Sequence, residues 1–129
     1  MIPPAQAAWS PEVEAAIRGL VGDATPIDAG LTIEAPETAE NGAFVPVTVS
    51  VESPMTRDHH IRAIHLFATK NPTPGIASFH LGPANGRATV STRIRLAEHQ
   101  TILAYAVVSD GAVRRAAAQV RVTVGGCLT

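Results

Sequence analysis

The chain has 129 residues, enough for one domain with a real core and too few for two. Hydrophobic residues make up 46% and aromatic residues only 4%, so that core must be built from Val, Ile, Leu and Ala. A net charge of −1 with no run of like charges argues against nucleic-acid and membrane-surface partners, and no apolar stretch is long enough to span a bilayer.

Met1-Ile2-Pro3-Pro4 is too polar and too proline-rich to begin a signal peptide, which leaves a cytosolic chain or the mature part of an exported one. Residues 1–9 read as an N-terminal extension. Ser10-Pro11-Glu12 then has the form of a helix start, with Ser as N-cap, Pro in the first turn and Glu beside it. Val13, Ile17 and Leu20 fall on one face, with Ala16 and Val21 next to them, and Gly22 supplies the stop. Residues 10–22 are therefore an amphipathic helix.

After Gly30 the periodicity changes to two. Leu31, Ile33 and Ala35 form a strand ending at Pro36, and Asn41-Gly42 marks a turn. Val45, Val47, Val49 and Val51 form a half-buried strand whose Pro46 requires an edge or a bulge. Ile61–Ala68 is apolar on both faces, with Ile61, Ala63, His65 and Phe67 on one and Ile64, Leu66 and Ala68 on the other. Lys70-Asn71-Pro72-Thr73-Pro74-Gly75 breaks the chain before a strand from Ile76 to Leu81. Ala88–Leu96 alternates cleanly, Thr101–Val108 is again apolar on both faces, and Asp110-Gly111 turns the chain into a last strand ending at Val124.

These seven short strands over residues 27–124 predict an all-β fold, an immunoglobulin-like β-sandwich behind a short N-terminal helix. The outer faces of its two doubly apolar strands need a cover, and either the helix or another subunit can provide it.

Conventional active-site patterns are missing. There is no Gly-x-Ser-x-Gly elbow, Gly82 and Gly86 lack the Lys-Ser/Thr of a phosphate loop, and Pro72 spoils Asn71-Pro72-Thr73 as a glycosylation site. Asp110 and Glu98 read as turn residues, His59-His60 as a solvated loop, and His65, His80 and His99 as scattered structural histidines, so neither a catalytic set nor a metal site is expected.

What stands out is the sole cysteine, Cys127, behind Gly125-Gly126. One cysteine permits no internal disulfide, so it is either a free thiol or half of an intermolecular bond. An exposed thiol oxidises and cross-links, so its place here wants a reason. The two glycines remove side chains where the chain leaves the last strand, so residues 125–129 read as a flexible arm reaching about 10 Å beyond Val124. Prenylation is excluded, because two residues follow the cysteine where that signal has three.

Several stretches resemble the SoxY family, the carrier subunit of the bacterial thiosulfate-oxidising Sox system. They are Glu40-Asn41-Gly42, the run from Val45 to Thr56, Ala63-Ile64-His65-Leu66-Phe67-Ala68, Lys70-Asn71-Pro72, Phe79-His80, the run from Val90 to Ala97, Ser109-Asp110-Gly111, and Val122-Thr123-Val124-Gly125-Gly126-Cys127. The resemblance covers about residues 10 to 127. It implies a carrier and not an enzyme: Cys127 would hold thiosulfate-derived sulfur covalently, with no other cofactor, and visit enzymes that load, hydrolyse and oxidise that sulfur. It also implies a SoxZ-like β-sandwich partner and, because family members are exported, a mature periplasmic form. The family ends Gly-Gly-Cys-Gly-Gly, whereas here Leu128-Thr129 follow the cysteine and put apolar bulk beside the sulfur. Alone, the chain is expected to self-associate through an apolar sheet face or a Cys127 disulfide. A second reading stays open, a non-catalytic interaction module whose cysteine only forms an intermolecular disulfide.

Overall fold

The structure is a computed structural model that describes residues 9–126. Its elements in chain order are α1 (Pro11–Val21), β1 (Leu31–Glu34), β2 (Thr38–Asn41), β3 (Val45–Val51), β4 (Ile61–Ala68), β5 (Gly75–His80), a 3-10 turn at Pro83–Asn85, β6 (Ala88–Ile94), β7 (Gln100–Val108) and β8 (Val113–Val124). One sheet has the order β1-β3-β6 and the other β2-β8-β7-β4-β5. This is an all-β sandwich with one short helix.

Two expectations change. The described residues form eight strands, not seven, because Thr38–Asn41 adds a strand parallel to β8, with Ala39 opposite Val122 and Asn41 opposite Val124. Its sequence hides it, since only Ala39 is buried and no alternation is visible. The expected first strand is β1, in one sheet, and the added β2 lies in the other, with Pro36 in the crossing between them. The second change is at Ile61. A bulge places Ile61 opposite Val108 and Ala63 opposite Val107, so Ile61 turns into the main core while Ala63, His65 and Phe67 keep the outer face.

The main core is aliphatic. Val45, Val47, Val49 and Val51 of β3 meet Ile64, Leu66, Ile102, Ala104, Ala106 and Val108 across the sandwich. Pro46 fits β3 although β3 is central, since β1 pairs only with Thr48–Val51 and leaves the Pro46 end with a neighbour on the β6 side alone.

The outer face of β4 and β7 is covered by α1. Ser10 caps the helix, its Oγ accepting from the Val13 amide at 3.3 Å, and Gly22 ends it at φ 84° with its N–H donating to the Arg18 carbonyl. Val13, with Trp9, Ala16, Ile17 and Val21 around it, packs on Phe67, Leu103, Tyr105 and Val113. Phe67 and Tyr105 meet edge to face at a centroid distance of 5.6 Å. Beside them the Arg115 guanidinium forms two hydrogen bonds to the Asp28 carboxylate at 2.7 and 2.8 Å, tying the helix-to-β1 connection to β8. That partner raises the Arg115 pKa, while burial raises that of Tyr105. Of the two covers open from the sequence, the helix is present.

Phe67→Ala should therefore cost about 3–5 kcal/mol, because it opens a cavity at the centre of the helix–sheet contact. Urea unfolding followed by far-UV circular dichroism measures this. The emission of Trp9, the sole tryptophan, should shift to the red in the same variant before the sheet melts.

Candidate functional site

Cys127, the predicted reactive residue, lies with Leu128 and Thr129 outside the described residues, and the structure defines the root from which it emerges. That root is the end of β8, Arg121–Val124. On one side, β8 pairs with β7 only from Val113 to Val120, just short of the root. On the other, β2 pairs with its last turn of chain, and the Gly42 N–H donates to the Val124 carbonyl at 2.8 Å. From the β6–β7 connection, His99 Nδ1 accepts the Val122 N–H at 2.7 Å.

The predicted arm glycines are placed tightly. The Gly126 N–H donates to the Leu96 carbonyl at 2.9 Å, and the Leu96 N–H donates to the Gly42 carbonyl at 2.8 Å. A Cβ on Gly125 would lie 2.3 Å from the Ala97 carbonyl oxygen, and one on Gly126 would lie 2.8 Å from the Gly42 oxygen. Both positions therefore need glycine for lack of space, in addition to the slimness the sequence suggested.

Asn71 fixes the segment that receives Gly126. Its Nδ2 donates to the Arg95 carbonyl at 2.8 Å, and its Oδ1 accepts from the Ala97 amide at 3.1 Å and from Gln100 Nε2 at 2.8 Å. Gln100, which is buried, takes the Lys70 amide on its other side. Leu96 is thus clamped between two bonded neighbours. Sequence reasoning singled out neither Asn71 nor His99 for this. The signal available was the density of breakers around Asn71, which needed a side-chain cap on some neighbouring backbone.

Beside the root, a groove of about 740 Å³ is lined by Lys70, His99, Gln119, Arg121 and Thr123, among others. It gives the base of the arm a polar, cationic flank. His59 and His60 belong to a hydrogen-bonded turn with Thr56, His60 Nδ1 lying 3.0 Å from its carbonyl oxygen. His65 and His80 are far from the root, on β4 and β5 at the opposite side of the larger sheet. Their rings meet edge to face at 6.3 Å, and His65 Nδ1 lies 2.7 Å from Ser78 Oγ. Among the described residues, no group of three or more His, Cys, Asp or Glu side chains is placed to hold a metal ion.

A β-sandwich whose last strand runs through a pinned glycine pair into a single cysteine is a thiol-bearing platform. The chain belongs to the SoxY family: the model for sulfur oxidation protein SoxY matches residues 17–127. It is similar to the sulfur carrier protein SoxY from Chlorobium limicola f thiosulfatophilum, with 33% identity, a TM-score of 0.73 and coverage of 88% of this chain and 97% of that one. The fold is shared more widely. A superoxide reductase (neelaredoxin) from Ignicoccus hospitalis matches at 22% identity and TM-score 0.64, covering 73% of this chain and 80% of that one. A putative superoxide reductase from Thermotoga maritima matches at 25% identity and TM-score 0.62, covering 71% and 84%. No curated protein sequence matches the chain.

His65 is held toward its neutral form. Burial, and then the neighbouring His80, push its pKa below the ordinary 6.5. The unfolded chain therefore takes up this proton first, so the contribution to stability is complete above about pH 6.5 and is lost as pH falls through the lower folded value. The urea midpoint should drop between about pH 7 and pH 5, and His65→Gln should drop less. Parallel slopes for the two proteins would remove His65 from the account.

Proposed function

We propose that this chain is a covalent sulfur carrier and not itself an enzyme, with Cys127 as the attachment point and Gly125 and Gly126 as the base of its arm. The observation that carries this reading is the family match, which extends through the cysteine to residue 127. Likeness over nearly the full length of a protein described as a sulfur carrier supports it. The pinned root supports it as well, because a carrier needs a thiol displayed beyond the platform and kept out of its core.

On this reading the Cys127 thiolate joins the outer sulfur of thiosulfate. A Cys–S–S–SO3− adduct forms, and two electrons pass to the acceptor of the loading enzyme. Hydrolysis of the S–SO3− bond by one water releases sulfate and two protons and leaves a persulfide on the cysteine, whose sulfane sulfur is then oxidised. These steps belong to partner enzymes of the Sox system, and this chain contributes the thiol and its presentation. A SoxZ-like β-sandwich subunit is the proposed permanent partner, and the periplasm the proposed location.

The test uses tetrathionate, which needs no added oxidant. A thiolate attacks one inner sulfur, forms Cys–S–S–SO3− and releases thiosulfate. Intact-protein mass spectrometry should show one adduct on the wild type, lost on reduction with dithiothreitol, and none on Cys127→Ser. An equal adduct on Cys127→Ser, or none on either protein, would refute the carrier assignment.

A further inference from the structure

Asn41-Gly42 is a turn motif that the carrier reading leaves without a role, yet Gly42 stands at the centre of the root. Its N–H donates to the Val124 carbonyl, its carbonyl accepts from Leu96, and the Leu96 carbonyl in turn accepts from Gly126. A Cβ on Gly42 would lie 2.2 Å from the Leu96 oxygen, 2.7 Å from the Gly126 nitrogen and 2.9 Å from Val122 Cγ1. The backbones of residues 42, 96–97 and 125–126 therefore meet with no room for any side chain among them. Gly42 is not left-handed, so nothing but this crowding calls for glycine there.

We propose that Gly42 is a positioning residue for the carrier thiol: with Gly125 and Gly126 it makes a backbone clasp that fixes where the cysteine leaves the platform. The inference rests on Cys127 being the carrier residue. The clasp holds the backbone as far as Gly126, the residue before Cys127. Opening it would move the last held residue back to Val124 and add two residues, or about 7 Å of reach at ~3.3–3.6 Å each.

A methyl group at position 42 collides with all three neighbours, most severely with the Leu96 carbonyl oxygen. Leu96 is clamped through Asn71, and Val122 is buried and bonded to His99. Gly126 lies beyond the last ladder pair of β8, Asn41 with Val124, and among the described residues is held by its bond to Leu96. Relieving the clash parts the Gly42 and Leu96 backbones and removes the seat of Gly126, the least held of the three. Gly42→Ala should then release the arm without touching any residue of the arm itself.

The experiment attaches a nitroxide label to Cys127, the sole cysteine, and follows amide exchange at Gly126 by NMR. In the wild type the Gly126 amide should exchange about tenfold more slowly than an unstructured glycine, the protection that one ordinary hydrogen bond gives. In Gly42→Ala that protection should disappear and the label should become distinctly more mobile. Gly19→Ala serves as the control, because a Cβ there meets nothing within 4 Å, and it should change neither readout. A freely exchanging Gly126 amide in the wild type overturns the proposal even if Gly42→Ala does not fold, and so does equal label mobility in a folded Gly42→Ala. The tetrathionate adduct, measured separately, keeps this result distinct from the carrier assignment: a wild type that loads but shows no protection loses the clasp alone, and one that shows protection but never loads loses the carrier role.

Discussion

The strand β7 has water on neither face, and the rest of the molecule is arranged to satisfy that. All of its residues are buried, and it lies between β4 and β8 in the middle of the larger sheet. One face takes part in the valine-rich core of the sandwich, as in any two-sheet fold. The other carries Leu103 and Tyr105, too apolar to leave in solvent, and so demands the helix. The helix thus covers the sheet in which β7 pairs with β8 over Val113–Val120.

The second constraint is local and steric. Carrier function asks for a thiol that is both displayed and controlled, and these demands conflict if the arm is merely loose. The contacts at the root itself are made between main-chain groups. Gly42, Leu96 and Gly126 are linked by hydrogen bonds at distances usual for ordinary secondary structure, and the missing side chains allow the approach. Asn71 and His99 stabilise this arrangement from outside by bonding to the backbone.

Much of this was legible in the sequence. Alternating valines at 45, 47, 49 and 51 announce a strand with one dry face, and Ser10-Pro11-Glu12 announces the helix. The double apolarity of Ile61–Ala68 and Thr101–Val108 announced a cover, but its identity could not be read, because a helix and a partner subunit leave the same pattern. Thr38–Asn41 was invisible because its pairing with β8 is parallel and long-range, and its sequence has one buried residue to declare it. The bulge near Ile61 was invisible for a similar reason, since a strand that is apolar on both faces shows no break when its register slips. Gly125 and Gly126 were recognised as special, yet their steric partners, Gly42 and Ala97, are distant in sequence and only the fold brings them together.

The parallel pairing of β2 with β8 has a mechanical meaning. A force applied at the C-terminal end of the described chain enters the sandwich through β8. Such a pull runs along β8, which is flanked by β7 on one side and, toward the root, by β2 on the other. The ladders are then loaded in shear, many hydrogen bonds sharing the force at once, and not peeled apart one after another. The short strand that the sequence concealed is placed where it helps a twelve-residue strand serve as an anchor cable for the arm.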